Sequence, residues 1–337
     1  MQTDATPVDI DAMERATRSP IVTEQDLRAA AARLTGRVLD TPLLPCEELS
    51  LAFGCQVLLK AENLQHTGSF KVRGVTNALL ARRERGERPP QAVTFSAGNH
   101  GAALAYASGR LGIPATVFVP PNAVAPKVDA IRRYGATVIQ GEDFVAAAQQ
   151  FAEDNGALLL HPFDDLDVIG GQGTVGLDVL RALPWVDVLI APVGGGGLLS
   201  GIGAACAALS PSTRVVGVEP VAARTLAHAV ASGGPTSLPA APSSMADGLN
   251  APFAGTYTYH HALRHTHQLV QVAEEEIRLA WIDLQRATRL LLEPSAAVGL
   301  AALRTGEVAV PTGGVVVLVL SGGNTDLASL AAASRTA

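Results

Sequence analysis

The chain has 337 residues, of which 48% are hydrophobic and 17% charged, with a formal charge of −6. Such a chain is globular, has room for about two folded units, and is neither a disordered polymer nor an electrostatic binder of nucleic acid. Its three cysteines, Cys46, Cys55 and Cys206, exclude a disulfide framework, lack metal-ligand spacing and fit a reduced, cytoplasmic protein.

Residues 1–22 read as an N-terminal arm. It has no apolar core for a signal peptide, and no apolar run in the chain is long enough to span a membrane. From Thr23, TEQDLRAAAARL reads as a helix capped by Thr23, with Asp26 three residues on. Strands are expected over Val57–Ala61, Ala92–Phe95, Ala115–Val119, Thr137–Gln140, Ala157–Leu160, Val186–Val193, Val215–Glu219, Gln268–Val272 and Val315–Leu320. Helices are expected over Phe70–Arg83, Ala102–Leu111, Pro126–Tyr134, Phe144–Glu153, Leu198–Leu209 and Glu274–Leu291. VDVLIAPV and VVVLVL are continuous apolar runs, as strands covered on both faces must be, so the alternation with helices means parallel α/β. Ala231–Ser244, rich in Gly, Ser and Pro, reads as a loop.

Four segments offer chemistry. After VDVLIAPV come Gly194, Gly195, Gly196 and Gly197, then a helix. Their N–H groups and the helix start make an anion site suited to phosphate, and an ordinary βα turn seldom needs four glycines. The run does not match GxGxxG; a match at Gly171–Gly176 follows the polar stretch PFDDLD and is read as chance, and no P-loop exists. Lys71 sits just inside a helix start after Thr67–Gly68–Ser69–Phe70, an unfavourable place for a cation. Desolvation there lowers a lysine's pKa, which suits Schiff-base chemistry. Ser96–Ala97–Gly98–Asn99–His100 follows a strand and opens a helix, a second anion site sized for a carboxylate. Ser321 ends the strand before Gly322–Gly323, where a simple helix cap is the ordinary reading. Together, a lysine, a phosphate cradle, a carboxylate site and a strand-end serine point to pyridoxal phosphate and an amino acid. His261 and His265, at i and i+4, have zinc spacing but no acidic partner nearby, and are set aside.

The chain resembles the serine/threonine dehydratase and serine racemase group of fold-type II pyridoxal-phosphate enzymes. The resemblance runs from about Arg37 to Leu330 and rests on ENLQ, TGSFKVRG, SAGNHG, GQGT, PVGGGGLLSGI, GVEP, ADGL, LEPSAAVGLAAL and LSGGNTDL, in the family's order. It implies a tryptophan-synthase-β-like α/β fold with two open, twisted, mostly parallel sheets flanked by helices. The cofactor domain would comprise 23–85 and 168–337, and a small domain 86–167, with the site in the cleft between them. No regulatory domain of the threonine dehydratase kind is expected after the catalytic part.

The resemblance also assigns roles. Lys71 would carry the cofactor as a Schiff base and move the Cα proton. Phe70 would pack on the pyridine ring, Asn99 would bond the ring oxygen, Gly194–Gly197 would hold the phosphate, and Ser321 would face the ring nitrogen. A serine there, in place of an acid, makes the ring a weaker electron sink and favours loss of a β-substituent. Ser96, Asn99 and His100 would bind the substrate carboxylate. Glu219, Ala223 and Thr225 match the family's cation site; Thr225 stands where racemase-like members have aspartate, so K⁺ or Na⁺ is expected over Mg²⁺. Racemases of the group carry serine directly before Gly–Asn–His, where this chain has Ala97. The implied activity is β-elimination from an L-3-hydroxy amino acid (threonine, serine or a bulkier analogue such as 3-phenylserine) to a 2-oxo acid and ammonia. The alternatives are a racemase of the same fold and a non-catalytic cofactor-binding protein. The expected partner is the amino-acid substrate, with neither nucleic acid nor membrane, in a cytoplasmic homodimer.

Overall fold

A computed structural model describes residues 19–335 except 97, 122 and 124, and the backbone alone at 126. The arm predicted over 1–22 therefore lies mostly outside the described residues, as does Ala97. Ten strands form two sheets: β1 (Leu43–Pro45), β2 (Gln56–Lys60), β3 (Ala92–Phe95), β4 (Ala115–Val119), β5 (Thr137–Gln140), β6 (Leu158–Leu159), β7 (Val188–Pro192), β8 (Arg214–Pro220), β9 (Gln268–Val272) and β10 (Val315–Val319). The larger sheet has the order β1-β2-β10-β7-β8-β9 and the smaller β5-β4-β3-β6. All pairings are parallel except β1 with β2. This is the fold-type II α/β architecture that the sequence resembles.

The strands of the smaller sheet all lie between residues 92 and 159. On that ground we propose the two lobes 23–85 with 168–337, and 86–167. The Lys71–Glu84 helix straddles them: its Val72, Val75, Ala78 and Leu79 are buried in one cluster with Ala92, Ala103 and Val117 of the smaller lobe. Thr23 caps the helix Glu24–Leu34 in the expected box with Asp26. Cys46, Cys55 and Cys206 are free and buried. No helix of the described residues is long and apolar enough to cross a membrane.

The GQGTVG stretch lies inside a 17-residue helix, Leu166–Ala182, that the sequence reading left unassigned. It follows no strand directly and holds no ligand turn. Glycines let the neighbouring helix approach it: a Cβ at Gly201 of the Gly197–Leu209 helix would sit 2.4 Å from Gly173 N and 2.5 Å from Ile169 O. Both contacts are backbone and cannot yield. Gly201→Ala is expected to cost about 1–3 kcal/mol, read as a lower urea midpoint at unchanged m-value; an unchanged midpoint would contradict this packing.

Beneath the Lys71–Glu84 helix lies a buried charge cluster. Glu62, fully buried, takes two bonds of 2.8 Å from the Arg73 guanidinium, and Arg73 also meets Asp178 at 2.9 Å. Lys60 donates to the Thr41 carbonyl at 2.7 Å and lies 3.4 Å from Asp178.

Candidate active site

Parallel strands deliver their carboxyl ends to one side of a sheet, where α/β folds bind ligands. In the larger sheet, β10 is hydrogen-bonded to both β2 and β7. The chain leaves β7 into the tetraglycine run, leaves β10 at Ser321, and runs from β2 through two short turns to Lys71. These segments are stitched together. Phe70 N–H donates to the Ser321 carbonyl at 3.1 Å, Gly323 N–H donates to the Gly68 carbonyl at 2.9 Å, and Ser69 forms a bridge with Gly322. Ser321 is buried. Thr67 holds a positive φ of 63° in this turn, a conformation non-glycine residues rarely adopt.

Lys71 is the first residue of its helix. Its amine donates to the Pro162 carbonyl at 2.8 Å and lies 5.2 Å from the Phe70 ring centre. Burial pulls its pKa down to about 8, against the opposing pull of Glu293. The next residue along, Phe163, packs on the tetraglycine loop: a Cβ at Gly195 would lie 2.2 Å from its ring. The segment His161–Phe163 thus joins Lys71 to the loop. Gly196 has φ of +90°, and a Cβ at Gly194 would lie 3.0 Å from Leu249 Cα. Side chains are excluded from the run, and its N–H groups open the 13-residue helix Gly197–Leu209.

The second anion site lies at the start of the Asn99–Leu111 helix. Asn99 opens its helix, and its amide donates to both Glu293 oxygens, at 2.9 and 3.1 Å. Its carbonyl accepts from Asn324, which also donates to the Thr67 carbonyl. Ser96 Oγ accepts from Gly98 N–H at 3.3 Å. The His100 side chain is buried, 3.3 Å from the Leu160 carbonyl, and burial first, then Lys71, hold its pKa well below the usual value. What His100 offers the cleft is a first-turn N–H, which has no partner within a helix.

Glu293 has no role in the sequence reading, although LEPSAAVGLAAL contains it. It is buried, and desolvation raises its pKa to about 7. The charges Asp247 and Lys127 act on it and pair with each other across the cleft. Buried groups near Lys71 and the glycine loop that have no bond partner include Ser69 Oγ, Thr67 Oγ1, His100 Nδ1 and the Gln172 amide.

At the expected cation site, the Glu219 carboxylate accepts from Leu226 and Ala227 N–H at 2.7 and 3.0 Å, and burial pushes its pKa up to about 8. Thr225 Oγ1 donates to the Ala251 carbonyl at 2.6 Å, and Ala223 is buried. No three His, Cys, Asp or Glu side chains of the described residues cluster as a metal site. His261 is a structural histidine: Val22 N–H donates to its Nε2 at 3.0 Å, and its Nδ1 lies 2.7 Å from the Tyr257 carbonyl.

Residues 34–322 match the family model described as pyridoxal-phosphate dependent enzyme. An L-threonine ammonia-lyase of Geobacter sulfurreducens is 40% identical over 308 residues, 90% of this chain and 76% of that one. An L-threo-3-hydroxyaspartate ammonia-lyase of a Pseudomonas species is 36% identical, covering 90% of this chain and 95% of its own. The structure of maize serine racemase superposes with a TM-score of 0.87 at 32% identity, covering 94% of this chain and 98% of that one.

Proposed function

The chain belongs to the pyridoxal-phosphate dependent enzyme family, and from that premise we propose that it is an ammonia-lyase converting an L-3-hydroxy amino acid to a 2-oxo acid and ammonia. The observation that carries this reading is Lys71. Its amine, at a pKa of about 8, lies one residue from the side chain that packs on the tetraglycine loop.

The residues present fit the cofactor. The glycine run has no room for side chains and presents N–H groups at a helix start, as a phosphate requires. Ser69 Oγ and the Gln172 amide are buried polar groups still lacking a partner. When bound, the cofactor supplies an electron sink that acidifies the substrate's Cα–H. Lys71 would hold it covalently, with Phe70 against its ring, Asn99 at the ring oxygen and Ser321 at the ring nitrogen. N–H groups at Asn99 and His100, with Ser96, would orient the substrate carboxylate. Once freed by the substrate's own amine, Lys71 Nζ would take the Cα proton; the Cβ–O bond breaks, and the hydroxyl leaves as water after gaining a proton, so that the net loss is the Cα proton and the β-hydroxyl. Pulling the Lys71 pKa down leaves more of its amine free to accept a proton near neutrality.

Elimination should dominate over racemisation. Reprotonation on the opposite face needs a second acid near Cα, and alanine at position 97 carries no exchangeable proton. With the holoenzyme and L-threonine or L-serine, 2-oxo acid and ammonia should form in equal amounts with almost no D-amino acid. Ala97→Ser should raise the racemised fraction. D-amino acid forming as fast as oxo acid in the unmodified enzyme would support a racemase instead.

Glu219, with the Ala223 carbonyl and Thr225, supplies one carboxylate, and both its oxygens are shared with N–H groups. Such a set suits a weakly held K⁺ or Na⁺. Activity should rise with K⁺ and respond little to micromolar Mg²⁺; strong activation by micromolar Mg²⁺ over excess K⁺ would exclude this assignment.

A further inference from the structure

The chain is poor in aromatics, with eight phenylalanines among 337 residues. Four of them gather around Lys71. Phe70 precedes it. Across the cleft, His161 and Phe163 flank the Pro162 carbonyl that receives the Lys71 amine. The His161 ring lies 4.6 Å from Phe163, 5.3 Å from Phe95 and 5.9 Å from Phe253, and Phe163 lies 5.6 Å from Phe253. Phe95 and Phe163 are buried, whereas His161 and Phe253 are half-buried. His161 is neutral, its pKa brought down to about 4 by burial and then by Lys71.

The charges nearby have the opposite bias. Glu293 acts on Lys71, and Asp247 acts on Glu293. Lys127 is already paired with Asp247. A substrate carboxylate at Cβ would lose water beside Glu293 and Asp247, and Lys127, the cation bonded there among the described residues, is already paired. An apolar ring would cover the half-buried residues, and its edge-to-face contacts would add to the gain.

We infer that the His161–Phe163–Phe253 wall receives the β-substituent of the substrate and selects an uncharged, aryl-sized group, so that 3-arylserines are preferred and 3-hydroxyaspartate is rejected. The inference rests on the ammonia-lyase reading and narrows its substrate. It separates this chain from the similar protein named for 3-hydroxyaspartate. The reaction would convert 3-phenylserine to phenylpyruvate and ammonia, the β-hydroxyl and the Cα proton leaving as water and water returning to release ammonia.

The test ranks kcat/KM of the holoenzyme for L-threo-3-phenylserine, L-threonine and L-threo-3-hydroxyaspartate. Phenylserine should equal or exceed threonine, and hydroxyaspartate should fall about 100-fold or more below threonine, as a buried, unpaired charge implies. Phe253→Ala should lower the phenylserine-to-threonine ratio about 5-fold, the worth of one aromatic contact. Hydroxyaspartate within tenfold of threonine, or an unchanged ratio in Phe253→Ala, would overturn the inference and leave the ammonia-lyase reading standing. Oxo acid from none of the three would instead contradict that reading. The wall is then tested by thermal shift with unreactive analogues: L-phenylalanine should raise the melting temperature more than L-aspartate, and the reverse order would refute it.

Discussion

Replacing Lys71 by alanine is expected to lower turnover of any 3-hydroxy amino acid by about 10³-fold or more and to remove the visible absorbance of bound cofactor. The substitution deletes both a covalent tether and an acid–base group, and each alone is worth orders of magnitude. Its amine cannot be replaced from elsewhere in the chain. Only two other lysines exist, Lys60 and Lys127. Lys60 is buried between the Thr41 carbonyl, Glu62 and Asp178. Lys127 is paired with Asp247. Folding should survive, because among the described residues the Lys71 side chain makes one hydrogen bond, to the Pro162 carbonyl. Unchanged near-neutral turnover in a folded Lys71→Ala protein would remove the chemical basis of the account.

The largest effect on stability is expected at Glu62. Its carboxylate is fully buried and receives Arg73 through two bonds, with the Thr41 hydroxyl on one of its oxygens. Removing it leaves Arg73 and Lys60, both nearly excluded from water, with Asp178 as the one carboxylate paired with them among the described residues. Breaking a buried pair from one side costs about 3–5 kcal/mol, because the remaining charge is stranded. Glu62→Ala should lose that much in urea unfolding, and Arg73→Ala a similar amount. Arg73 stands two residues after Lys71 on the same helix, so both variants should also lower turnover. A loss below about 1 kcal/mol would mean that water reaches the cluster and the charges are solvated.

The strands of both sheets were legible because a parallel strand covered on both faces is written as an apolar run. Ala92–Phe95 and Ala115–Val119, buried throughout, match the observed limits; Thr137–Gln140 and Gln268–Val272 match as well, although they are partly exposed edge strands marked by β-branched residues rather than by a continuous apolar run. The edge strand Leu43–Pro45 was not, being three residues long and ending in proline. The helix Leu166–Ala182 was missed for a different reason. Its four glycines weaken local helix preference, and it forms because those same glycines let the Lys71–Glu84 and Gly197–Leu209 helices pack closely on it. At the site, each anion cradle was readable as a strand, a small-residue turn and a helix. What joins the cradles was not. The bond between Asn99 and Glu293 spans 194 positions, and the pair of Lys127 with Asp247 spans 120. No local pattern marks such partners. The motifs containing Glu293 and Asp247 were visible, but nothing in their spacing named what they face. His261 shows the converse: histidines at i and i+4 suggest a metal, yet this ring is spent on Val22 and Tyr257.

On the proposed function, one lysine at the meeting of the glycine loop and the two helix starts, Lys71, holds the cofactor. Borohydride reduction of the holoenzyme followed by peptide mass mapping tests it directly. The account predicts a single pyridoxyl group, on Lys71. A pyridoxyl group on Lys60 or Lys127, or none on a protein that retains its visible absorbance, would contradict it.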